Sequence, residues 1–236
     1  MTGEAARLEG CVMAECIWII VWWLAFAGTH MALSALLVRR PLIARLGDRG
    51  FQGCYSIVAL ATFVLLVRAY AAARHAGPQL WSLGGEPVWH ALALVLSAVG
   101  LLLAVLAFFQ PSATAMIPGA PVRARGVVRI TRHALFMGIA VWAVGHVIVN
   151  GWLSDVLFFG GFAVFSVVGA AHQDARKRIT DGERLRAFFA ETSLLPFAAI
   201  LGGRTEFVTA EIPVLGVAVG AVAAVSLYLA HPWLFG

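Results

Sequence analysis

The chain is 236 residues long, 61% apolar and only 12% charged, with a mean hydropathy of +0.88. Soluble domains run at about 45–50% apolar and about 25% charged, so a water-soluble globule and a disordered polar module are both excluded. A net charge of +5 and an isoelectric point near 9.7 would suit a nucleic-acid binder, but the basic residues punctuate apolar runs and form no single stripe. They mark membrane-surface anchors, so the lipid bilayer is the expected partner and nucleic acid is not.

At the N-terminus, Glu4, Glu9 and Glu15 outnumber Arg7, the reverse of a secretory leader, so the first apolar run is expected to remain as a membrane span. A spanning helix needs about 17–25 predominantly apolar residues. Six segments satisfy this, approximately Cys16–Val38, Phe51–Ala73, Val88–Phe109, Ala134–Asn150, Trp152–Ala171 and Ile212–Trp233. The fourth is the shortest, and Gly151 leaves room only for a tight reversal into the fifth. Without barrel-like alternation, helices are the plausible spanning element. The expectation is an all-α integral membrane protein, one transmembrane domain over 1–236 with six transmembrane helices. Residues 173–211 read as an amphipathic interfacial segment broken at Pro196.

Most Lys and Arg residues fall in three connections, carrying Arg39, Arg40, Arg45 and Arg49, then Arg123, Arg125, Arg129 and Arg132, then the stretch from Arg176 to Arg204. The positive-inside rule places all three in the cytoplasm, so a multi-pass protein of the bacterial inner (cytoplasmic) membrane would have both termini periplasmic. Cys11, Cys16 and Cys54 form no pair with metal-site spacing and read as buried small apolar residues.

Ionisable groups at bilayer depth are costly, which makes the seven histidines informative. His75, His90 and His231 fall at outer span ends and read as interfacial, without an assigned role. His133 and His172 stand at cytoplasmic span ends, as caps or as site residues. His30 and His146 lie inside the first and fourth spans. Along a straight helix they are about 13 Å from Arg39 and about 21 Å from Arg132. Gly28 and Gly145 stand close before them, where a neighbouring helix or a flat cofactor can approach. Such a pair suits metal or haem ligation. Zinc would need further ligands, whereas haem iron needs one or two. The same imidazoles would also serve by hydrogen-bonding neighbouring helices. The serines lack a nucleophile elbow, and no phosphate-binding glycine loop is present.

Three motifs carry a resemblance: GTHMALSALL at 28–37 followed by RLGDRGFQGCYSIVAL at 45–60, VVRITRHALFMGIAVWAVGHVIVNG at 127–151, and PFAAILGGR at 196–204. Together they resemble the NnrU family, small integral membrane proteins associated with denitrification, and their relative 15-cis-zeta-carotene isomerase. The resemblance implies a b-type haem (heme b) with His30 and His146 as axial metal ligands. It implies haem-dependent isomerase or redox chemistry on an apolar or gaseous small molecule, or an accessory role in nitrite and nitric oxide metabolism. The relative carries a cysteine where this chain has Ala143, and the family usually has proline at the position of Ala134. A haem held there would turn its propionates toward cytoplasmic cations, with Arg39, Arg132 and His133 as the cofactor-binding residues. The Arg-His motif also looks like integral-membrane methyltransferases of the isoprenylcysteine carboxyl methyltransferase type. In that alternative Arg132, His133, His172, Asp174 and Glu183 would line an S-adenosylmethionine pocket.

Overall fold

The computed structural model describes residues 2–115 and 120–235, with side chains over 13–115 and 120–234. The readings of Glu4, Arg7, Glu9 and Cys11 lie outside the described side chains. The elements are α1 (Thr2–Ser34), α2 (Leu36–Ala72), α3 (Pro87–Phe109), α4 (Val127–Ile130), α5 (Ala134–Val149), α6 (Leu153–Glu191), α7 (Ala198–Leu201), a 3₁₀ turn (Thr209–Glu211) and α8 (Val214–Phe235). Among the described residues the only strand-like pairing is an isolated bridge from Gln79 to Trp152. Five helices are long and apolar enough to cross a membrane, and Ala134–Val149 is a shorter apolar helix. This is the all-helical membrane architecture that the apolar runs predict.

The chain divides into two compact units, Met1–His90 with Val147–Gly161, and Ala91–His146 with Phe162–Gly236. In the first, α1 packs along α2. α1 stops at Ser34 because Ala35 is extended, with ψ 136°, so the first span ends four residues before the expected Val38. α2 carries Pro41 and is broken at Gly47, whose φ of 71° and ψ of 168° are almost exclusive to glycine. Its first limb therefore presents Arg39, Arg40 and Arg45 on a helix of its own. Beyond α2, the 73–86 connection folds onto the Gly151 turn. The Leu80 amide donates to the Gly151 carbonyl at 2.7 Å, and the Trp81 indole N–H donates to the Ile148 carbonyl at 3.0 Å. A Cβ on Gly151 would strike the Trp81 carbonyl, so the tight reversal requires glycine.

In the second unit, α3 begins with proline at its first helical position, where the missing N–H costs nothing. It crosses α5 at backbone distance. A Cβ on Gly100 would lie 2.5 Å from the Gly138 carbonyl oxygen, and one on Gly138 would lie 2.5 Å from that of Gly100. Small residues at such a crossing let dispersion act along the main chains, since lipid supplies no hydrophobic drive between helices. The stretch after the fifth span departs from expectation. α6 continues to Glu191 with one distortion at Asp181, and Pro196 follows the helix end without causing it. Leu185, Phe188 and Phe189 on this extension are buried against Leu103, Leu106, Val127, Val128 and Ile130. Each fully buried side chain of this size contributes about 1.5–3 kcal/mol, so the segment forms a packed core and not only an interfacial layer. Cys16 is buried as expected, whereas Cys54 is exposed.

Candidate functional site

His30 and His146 are constructed alike. The His30 Nδ1 lies 3.0 Å from the Phe26 carbonyl, and the His146 Nδ1 lies 3.0 Å from the Trp142 carbonyl, four residues earlier in each helix. A carbonyl only accepts, so each Nδ1 must be the protonated nitrogen, and in neutral imidazole Nε2 then carries the lone pair. Each ring also leans on the aromatic ring of the same partner. The centroids are 4.3 Å apart at 50° for Phe26 and 4.5 Å at 47° for Trp142. A backbone acceptor on Nδ1 is the usual way a metal-ligating histidine is oriented.

The surroundings differ. His30 meets Tyr55 edge-on at 5.1 Å, Tyr55 contacts Phe51 at 6.0 Å, and Arg39 lies over Phe51 at 4.7 Å. Arg39 is thus joined to His30 through two aromatic rings. Nothing lies within 4 Å of a Cβ placed on Gly28, so open space adjoins this helix. Gly145 instead packs against Ala93, Leu96 and Ser97 of α3. It is a helix-packing glycine. The straight-helix ruler from Arg39 to His30 is interrupted at Ala35, and His30 stands four residues, about 6 Å of rise, before Ser34. His146 stands three residues before the end of α5.

Arg132 and His133 are brought together, with Asp174 as their common partner. The Arg132 Nε donates to Asp174 Oδ2 at 2.8 Å, Nη2 donates to the same oxygen, and Nη1 reaches the Thr192 carbonyl at 3.0 Å. The His133 Nε2 is 2.6 Å from Asp174 Oδ1. All three residues are buried. A buried charge needs a partner and satisfied hydrogen bonds, and here one carboxylate serves both neighbours. Arg132 and His133 are therefore engaged by one carboxylate within the protein. Of the three residues expected to hold a cofactor, Arg39 alone lacks a carboxylate partner among the described residues. Of the other residues in the methyltransferase alternative, Glu183 pairs with Arg186 on the exposed face, and the buried His172 Nε2 has no hydrogen-bond partner among the described residues.

A second buried carboxylate escaped sequence reasoning. Asp155 is fully buried, accepts from the Tyr70 hydroxyl at 2.8 Å and lies 2.7 Å from the Nδ1 of His75. His75 has φ 57°, a costly conformation for a non-glycine residue, and its half-exposed ring makes this specific bond. Near the 3₁₀ turn, Glu211 holds Arg129 and the Gly126 amide at 2.8 Å each. Hydrogen bonding from Arg129 first, then from Gly126, depresses the Glu211 carboxyl from its ordinary 4.5 to about 2.

Two comparisons with known proteins bear on these residues. The chain is 29% identical over 227 residues to the 15-cis-zeta-carotene isomerase, chloroplastic, of Arabidopsis thaliana, covering 90% of this chain and 59% of that protein. It is 26% identical over 183 residues to the protein of the same name from Zea mays, covering 77% and 50%. The chain thus spans between half and three-fifths of the length of these relatives. No solved structure matches. The model of the family described as NnrU protein matches residues 18–236, which include both histidines, Arg39 and the buried Arg132 cluster, and the chain therefore belongs to the NnrU protein family.

Proposed function

We propose that the protein is a haem b-binding membrane isomerase in which His30 and His146 are the axial ligands and the substrate is an apolar, membrane-dissolved conjugated molecule. The observation carrying this reading is the shared construction of the two histidines. Each has its Nδ1 proton fixed by a carbonyl one turn back and its ring braced on an aromatic, which would orient Nε2 for a ligand. The isomerase assignment rests on the two curated relatives, whose names specify 15-cis-zeta-carotene isomerisation. Haem b bound there would supply a redox-active iron that lowers bond order in a conjugated chain brought beside it. Phe26 and Tyr55 lie against His30, with Phe63 and Phe51 behind them, and Arg39, over Phe51, would be the cation for a propionate.

The methyltransferase alternative is less well supported, because both Asp174 oxygens are taken by Arg132 and His133. The link to nitrite and nitric oxide follows only from the family's association and would use the same iron. The bacterial inner membrane is proposed as the location.

The test is spectroscopic. Protein purified in nanodiscs with haem supplied should show a Soret band, be ferric low-spin and six-coordinate, and convert a cis-carotene when reduced. His30→Ala and His146→Ala should each lose the sixth ligand or the haem, while His90→Ala and His231→Ala should retain both. A colourless protein, or an unchanged six-coordinate spectrum in either ligand variant, would overturn the assignment.

A further inference from the structure

The extension of α6 carries acids and bases in nearly matched numbers, and their pairing leaves a specific remainder. Asp174 is consumed by Arg132 and His133. Asp181 is shared by Lys177 at 3.2 Å and Arg184 at 3.3 Å, and Glu183 pairs with Arg186 at 3.0 Å. Arg178 has no carboxylate partner among the described residues. Its guanidinium carbon instead lies 4.0 Å from the centroid of the buried Phe189 ring, and that of Arg132 lies 5.1 Å from the same ring. Arg204 uses Nη1 alone, donating to the Ala190 and Thr192 carbonyls at 3.0 Å each, so its Nε and Nη2 donate to no described group.

Arg178 and Arg204 line one cleft of about 280 Å³ together with Phe189, Ser193, Leu195 and the Asp174-paired Arg132. Arg178 and Phe189 also line a second cleft of about 450 Å³ toward Arg186. Two arginines that meet no carboxylate among the described residues, one clamped by carbonyls and one stacked on a ring, line the same cleft, and guanidinium forks suit phosphate. Leu195 on its lining is 55% exposed, and Phe197 and Leu201, close by in sequence, are 47% and 86% exposed. Phe197 is moreover held at φ 62°, where a bulky residue is strained. Acyl chains suit such exposed apolar side chains, and free phosphate has no use for them.

We propose that this cleft binds a phosphate group, delivered by the headgroup of an anionic membrane lipid. Arg178 and Arg204 would clamp the phosphate, and Leu195, Phe197 and Leu201 would lie against the acyl chains. The same chemistry would accept free phosphate, and the experiment separates the two sources.

The full chain is reconstituted in nanodiscs of phosphatidylcholine with or without phosphatidylglycerol, and retained lipid is read by native mass spectrometry. Inorganic phosphate is titrated separately in phosphatidylcholine nanodiscs. Phosphatidylglycerol should be enriched on the wild type and reduced on the order of ten-fold in R178Q/R204Q, the scale that two arginines at a membrane surface supply. The single R178Q, at a stacked and exposed side chain, should lose several-fold with an unchanged melting temperature. R123Q, at an exposed arginine outside the cleft, should match wild type. Inorganic phosphate binding with the same arginine dependence, without phosphatidylglycerol enrichment, keeps the site and makes free phosphate its source. Equal retention in R178Q/R204Q and wild type, an equal loss in R123Q, or no binding of either ligand would overturn the proposal.

Discussion

The imidazole of His75 and the carboxylate of Asp155 meet at 2.7 Å across eighty residues of sequence, one half-exposed and the other fully buried. Tyr70 completes the arrangement from the last turn of α2, and its ring stacks on Phe158 at 3.9 Å. Asp155→Ala should leave the Tyr70 hydroxyl without its acceptor, a loss of about 1–3 kcal/mol. Circular-dichroism melting in detergent checks this. His75→Ala should cost less, because its ring reaches solvent, and an Asp155→Ala melt equal to wild type would refute the bond's importance.

The ion pair of Arg129 and Glu211 sets an acid limit. Glu211 has its carboxyl depressed in the folded protein, so its stabilisation is complete above about pH 4.5 and fades as pH falls toward 2. Stability should therefore decline over that interval. Glu211→Gln should lower stability at neutral pH and flatten the acid slope. Wild type and variant declining in parallel would show that other groups govern the acid transition.

The α3–α5 crossing gives a sharper contrast between two glycines. Gly138→Leu would drive a side chain into backbone atoms of α3, an overpacking cost of about 3 kcal/mol or more. That variant should fail to elute as a monodisperse species. Gly28→Ala, with nothing within 4 Å of the new Cβ, should elute and melt like wild type. Equal behaviour of the two variants would contradict the close crossing.

The spans were legible because length and apolarity alone identify them, and the Gly151 turn because only a reversal fits between two spans so close in sequence. The continuation of α6 was not. Arg176, Lys177 and Arg178 signal a change of surroundings, but backbone hydrogen bonds propagate past that boundary regardless. Asp155 was hidden for a similar reason. In the sequence it is one acid near a helix start, a common place for one, and only the fold brings Tyr70 and His75 to it. Arg132, His133 and Asp174 were grouped, with His172 and Glu183, only through the resemblance of the Arg-His motif to integral-membrane methyltransferases. Their mutual saturation depends on a carboxylate reaching two neighbours at once, which spacing does not reveal.

The positive-inside rule predicts a cytoplasmic side for the arginine-rich connections. In the second unit, Thr131 donates to the Leu194 carbonyl and Arg129 pairs with Glu211, so two arginine-rich stretches share one end. In a background free of native cysteines, Arg123→Cys should resist an impermeant maleimide in intact cells, and Ser82→Cys should react. The reverse pattern would invert the topology.

The Gly47 break separates anchoring from spanning. A continuous helix that tilts to suit a thicker or thinner bilayer drags its terminal charges with it. In α2 the limb bearing Arg39, Arg40 and Arg45 joins the apolar limb through one residue whose φ only glycine readily adopts. The apolar limb can thus change its inclination while the guanidinium groups stay level with the phosphates. Gly47 makes hydrophobic mismatch a matter of one backbone joint, and replacing it with a β-branched residue would couple span tilt to headgroup position.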